Sequence, residues 1–92
     1  MTDHLSRLHN LPCVICTLMG VEQTSRTEAH HLESNRDKDS DYGAVALCTA
    51  HHTGPLGVHG LSRRGFTMRY SISELHLLKL TVKALEEEGY LV

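Results

Sequence analysis

The stretch "ALCTAHHTGPLGVHG", Ala46 to Gly60, holds one cysteine and three histidines in fifteen residues. A short apolar run, "AVALC" (Ala44–Cys48), leads into it and reads as a short strand. Thr49 is placed to cap a short helix over "TAHHT", and Gly54-Pro55 stops it. His51 and His52 are therefore neighbours on one helical turn. Successive helical residues differ in direction by about 100°, so this doublet can serve two sites at once.

Cys48-x-x-His51 has a matching half further upstream. "CVIC" (Cys13–Cys16) has the same spacing, which lets two side chains on one tight turn face one metal. The chain holds three cysteines. An odd number cannot pair completely, which argues against a disulfide framework. Three thiolates and one imidazole are a standard tetrahedral zinc set. The expected structural zinc ligands are thus Cys13, Cys16, Cys48 and His51. The intervening residues, 17–47, are long enough to carry a β-hairpin.

Size supports such a staple. The chain has 92 residues, one Phe, three Tyr and no Trp. A core that small gains from a metal that contributes folding energy. The formal net charge is −2 with histidines neutral, which does not describe a general nucleic-acid binder. The charge is uneven, however. "ESNRDKDSD" (Glu33–Asp41) and "EEE" (Glu86–Glu88) are acidic, and "RRGFTMR" (Arg63–Arg69) is basic. A local basic patch can hold phosphate on an acidic protein. No apolar run is long enough to span a bilayer, and "MTDHLSRLHN" lacks a signal-peptide core. A cytoplasmic location, where thiols stay reduced, is expected.

The remaining segments complete an α+β reading of one domain, residues 1–92. Residues 1–12 form an arm or short helix ending at Pro12. Residues 18–33 hold one or two short strands, the last ending near His30 and His31. Residues 34–43 are a polar loop. A C-terminal helix is expected over 72–88. Ser71 and Glu74 form its capping box, Leu75, Leu78, Val82 and Leu85 its buried stripe, and Gly89 its terminator. His4, His9 and His76 read as solvated surface residues. No internal repeat is present.

The second doublet, His30-His31, lies at a strand end, where adjacent side chains face opposite sides. Together with "CVIC", "AHHLE" (Ala29–Glu33), "DYGAVALCTAHH" (Asp41–His52) and "GVHG" (Gly57–Gly60), it resembles the HNH nucleases of the ββα-metal superfamily. The resemblance covers about half the chain, Cys13 to His59. It implies a small zinc-stapled ββα-metal domain over 13–59 with an added C-terminal helix. It also implies roles: His31 as general base, and His30, His52 and His59 as ligands of a catalytic divalent metal. Two features depart from the family pattern. The middle Asn has no evident counterpart, Asp41 or Tyr42 in "SDYGAV" standing in its place. The final ligand spacing is wider than the usual H-x3-H, and Gly54-Pro55 puts His59 beyond the end of the short helix. The stretch "HTGPLGVHGLSRRGFTMRY" is similar to phage-encoded HNH proteins of the Ref-like type, small nucleases linked to recombination.

The resemblance implies hydrolysis of DNA phosphodiester bonds with little sequence preference. In the general-base role the His31 imidazole takes a proton from water. A divalent ion polarises the phosphate and takes charge on the leaving oxygen. Three histidines suit Zn, Ni or Co better than Mg, and a carboxylate from Asp41 widens the choice to Mg or Mn. Arg63, Arg64 and Arg69 are the expected phosphate contacts. The expected partners are DNA and a recombination or phage protein. The alternative is a catalytically inactive zinc-knuckle module that binds DNA or protein, or a structural zinc protein whose extra histidines bind a regulatory metal.

Overall fold

The computed structural model describes residues 3–32 and 43–89. Two antiparallel strands form the centre: β1 (Thr27–His31) and β2 (Ala44–Cys48), with Thr27 opposite Cys48 and His31 opposite Ala44. Every residue of β2 is buried. That explains its continuous apolar sequence, since a strand covered on both faces has no polar alternation. Helices supply the cover. α1 (Asp3–His9) and α2 (Val14–Met19) precede the sheet, and α3 (Thr49–His52), α4 (Val58–Tyr70) and α5 (Glu74–Glu87) follow it. Leu8, Ile15, Leu47, Phe66, Leu77 and Leu85 are the largest apolar side chains that are fully buried.

The strands and the short helix over "TAHH" lie where the sequence puts them, but Cys48, not Thr49, occupies the N-cap position, and Thr49 is the first helical residue. α2 replaces the expected bare turn at "CVIC". Cys13 occupies its N-cap position, and Gly20 closes it at φ 67°. The basic segment is helical too. α4 begins at Val58, so His59 lies in its first turn.

The C-terminal helix corrects two expectations. Ser73, not Ser71, is the cap, its Oγ accepting from the His76 N–H at 3.1 Å. Ser71 instead ends α4 in the left-handed region, φ 55°. The buried stripe is Leu77, Thr81 and Leu85, while Leu75 is 60% exposed. A hydropathy pattern passes over Thr81. The hydroxyl is buried because it is satisfied on both sides: it accepts from Ala46 N–H at 3.2 Å and donates to Leu77 O at 3.0 Å. That pair of bonds ties α5 to β2. Gly89 follows the helix at φ 79°, as expected. His4, expected in solvent, is buried on α1.

Candidate metal centres

Cys13, Cys16, Cys48 and His51 converge on one point, their donor atoms all within 4.8 Å of one another. Bonds of about 2.3 Å to sulfur and 2.0–2.1 Å to nitrogen in a tetrahedron place two sulfurs about 3.8 Å apart, and sulfur and nitrogen about 3.6 Å apart. Cys16 Sγ and Cys48 Sγ are 3.8 Å apart. Nδ1 of His51 lies 3.7, 3.5 and 3.2 Å from the sulfurs of Cys13, Cys16 and Cys48. The group is sized for a tetrahedral ion such as zinc.

Its electrostatics agree. Burial and the neighbouring thiols push Cys16 up to about 12, and burial also raises Cys13. Burial opposes ionisation at Cys48 as well. There, hydrogen bonds from Ser25, the His51 backbone and the other two thiols prevail and lower it. Burial alone holds His51 below its ordinary value, leaving a neutral imidazole. The cluster thus has sulfurs whose protons a cation would displace. Gln23 braces it from outside: Oε1 accepts from the Cys13 N–H at 2.7 Å, and Nε2 donates to Thr27 Oγ1 at 2.9 Å.

His30, His52 and His59 form a second group, again with donor atoms within 4.8 Å. The ring centroids are 4.8 to 5.3 Å apart. His30 comes from β1, His52 from the end of α3 and His59 from the start of α4. The three can meet because the chain between α3 and α4 turns back tightly. A Cβ on Gly57 would stand 2.7 Å from the His51 carbonyl carbon, and one on Gly60 would strike the Gly54 and Pro55 carbonyl oxygens. Two side-chain-free positions therefore let α4 close over the histidine doublet.

The donor set fits a cation. His30 is 3% exposed, and burial followed by the charges of His52 and His59 lowers it to about 4, so it is a neutral ring. Its Nε2 has no hydrogen-bond partner among the described residues, with Glu74 Oε1 4.0 Å away. Three imidazoles are a common first-row metal set. Nδ1 of His52 is hydrogen-bonded to Glu28 Oε1 at 3.0 Å. That bond is the largest cause of a lowered Glu28 carboxyl, against the opposing effect of burial.

A cleft of about 380 Å³ adjoins this group, lined by His30, Val58, His59, Ser62, Arg63 and Arg64. Arg69 does not line it and instead lies over the Tyr70 ring at 5.8 Å. α4 kinks at Ser62, φ 69° and ψ 165°, and Ser62 Oγ accepts from the Gly65 N–H at 3.3 Å, capping the helix anew. His31 is exposed and does not belong to either cluster. Strand alternation turns it away from His30. Asp41 and Tyr42 lie outside the described residues.

Glu28, Gln23 and Glu74 are site residues that the sequence reading missed. Glu28 had a signal: it stands two residues before His30, on the same face of a strand. Gln23 and Glu74 had none, since their contacts are purely tertiary.

No curated protein and no solved structure matches the chain. A family model does. It is described as recombination enhancement, RecA-dependent nuclease, and it matches residues 2–85. Those residues span both clusters and most of α5, so the chain belongs to the family of RecA-dependent recombination-enhancement nucleases.

Proposed function

We propose that the protein is a metal-dependent DNA endonuclease of the HNH type that acts in recombination together with RecA. One observation carries the reading. A three-imidazole cluster opens onto the cleft that Arg63 and Arg64 line. Juxtaposed metal-ligand and phosphate-binding chemistry is what phosphodiester hydrolysis needs. The order β1–β2–α3 between the two histidine doublets supports the ββα-metal reading, and the family match supports a nuclease.

The roles are those the family resemblance implies, and the two groups of converging donor atoms support the metal-binding ones. Cys13, Cys16, Cys48 and His51 would hold a structural zinc, drawing α2 to the β2–α3 corner. His30, His52 and His59 would hold the catalytic divalent cation, which when bound neutralises charge on the phosphate and on the leaving oxygen. Arg63 and Arg64 orient the phosphate in the cleft. The resemblance carries the general-base role, taking a proton from the attacking water, to His31, which stands beside the cluster rather than in it. As the water oxygen bonds to phosphorus, the bond to the leaving deoxyribose oxygen breaks, and that oxygen is protonated from solvent. The described cleft offers arginines for phosphate, so the expected substrate is DNA of little sequence preference, brought to the site by its complex with RecA.

Nicking of supercoiled plasmid tests the proposal, with Mg, Mn, Co, Ni or Zn supplied in turn, with and without RecA filaments. Cleavage should need a divalent metal and fall by about 100-fold or more in His31→Ala, the range expected for loss of a general base. Absence of cleavage with every metal in the presence of RecA sinks the nuclease reading. Equal cutting by His31→Ala removes that residue from the role.

A further inference from the structure

We infer that Glu28 is the positioning residue of the three-histidine cluster, its carboxylate fixing the His52 ring so that Nε2 is presented to the cation. The inference rests on the metal-binding reading of His30, His52 and His59 and adds a residue to it.

The geometry is specific. Glu28 Oε1 lies 3.0 Å from Nδ1 of His52, and the two side chains are 24% and 15% exposed. An ionised carboxylate only accepts hydrogen bonds, so Nδ1 must carry the hydrogen. In a neutral imidazole the other nitrogen then holds the lone pair. The opposite tautomer would place its hydrogen on Nε2 and block the ligand atom. One hydrogen bond thus decides both which atom faces the cation and how the ring is turned. Carboxylates placed this way behind metal-bound histidines are a recurrent device that raises ligand basicity.

The fold gives His52 few other means of orientation. It is the last residue of α3, a helix of four residues. Glu28 is anchored where that helix needs a brace. It shares one face of β1 with His30 by the two-residue period of a strand, and the Thr49 N–H at the start of α3 donates to the Arg26 carbonyl just before β1 at 3.1 Å. One strand therefore supplies a direct ligand, His30, and the outer partner of a second ligand, His52. Glu28 is not itself in the cluster of converging donor atoms. A further contact, Arg26 Nε to Oε2 at 3.7 Å, involves an arginine that is 85% exposed. Such a surface pair contributes little, which makes Arg26 a suitable control.

The test uses the zinc-loaded protein titrated with Co2+, followed by calorimetry and by the visible absorption of the bound ion. Wild type should bind one further Co2+. Glu28→Ala should bind it about 10–100-fold more weakly, Glu28→Gln, which keeps an acceptor oxygen, should recover most of the loss, and Arg26→Ala should stay within about twofold. Long-range 1H–15N spectra of the zinc-loaded protein before Co2+, at pH 8, should show His52 as the Nδ1–H tautomer in wild type and a mixture in Glu28→Ala. Should Glu28→Ala fail to fold, Glu28→Gln and the wild-type tautomer carry the decision. Co2+ affinity unchanged in a folded Glu28→Ala, or a wild-type Nε2–H tautomer, overturns the inference while leaving the metal site standing. Wild type that takes up no second ion, or His52→Ala that binds it equally well, overturns the metal site itself.

Discussion

His51 and His52 share a peptide bond and belong to different clusters. The division follows from helical geometry: a turn of about 100° sends one ring toward the cysteines and the next toward His30. Which ring goes where depends on Cys48. With Cys48 at the N-cap of α3, the residue three positions on returns to the same side, and that is His51. The thiols supply the consequence at this scale. Cys13 and Cys16 are pushed up by burial without a cation, so the metal-free cluster is a buried, half-satisfied polar group. Cys13→Ser should lose bound zinc, measured by elemental analysis, and lose its cooperative thermal transition, measured by circular dichroism. Full zinc retention with an unchanged transition would rule out the structural site.

At the scale of elements, the kink in α4 is the feature with energetic content. Ser62 sits at φ 69°, ψ 165°, a region that costs a residue with a Cβ roughly 1–3 kcal/mol. The kink divides α4 so that His59 lies before it and Arg63 and Arg64 just after. Glycine relieves the strain and is only a few tenths of a kcal/mol worse as a cap. Ser62→Gly should therefore stabilise the protein by about 1 kcal/mol and raise its melting temperature by roughly 4–8 °C, measured by scanning calorimetry. A lower melting temperature would show that the Ser62 Oγ bond to Gly65 outweighs the strain. α5 teaches a different lesson. Its existence was legible from leucine spacing, but its buried face was not, because Thr81 owes its place to a hydrogen bond with β2. Hydropathy has no term for a partner on another element.

Across the whole molecule, charge is unevenly arranged. The chain is acidic overall, at −2, yet Arg63 and Arg64 stand together at the cleft beside the histidines. Among the described residues, no helix is long and apolar enough to cross a membrane. Binding to duplex DNA should weaken with salt, and Arg64→Ala should reduce the slope of log K against log salt by about 0.9, one phosphate contact. Arg69→Ala should leave that slope unchanged, since Arg69 lies on Tyr70 rather than at the cleft. Fluorescence anisotropy across a salt series measures both. Equal effects of the two variants would place DNA along the whole of α4.

Spacing along the chain determined the membership of the cysteine group and the identity of the two strands. Those features are local: a C-x-x-C or C-x-x-H turn sets its own geometry, and a continuous apolar run can only be buried. The same is true of the three histidines as candidates, which stand out by residue type. Tertiary structure decided what they meet. Glycines at 57 and 60 let α4 fold back over α3, and only that closure brings His59 to His30 and His52. Glu28 reaches His52 across 24 positions of sequence, and Glu74 approaches His30 across a still longer separation. Contacts between such distant positions depend on how elements pack, and no periodicity along the chain records them.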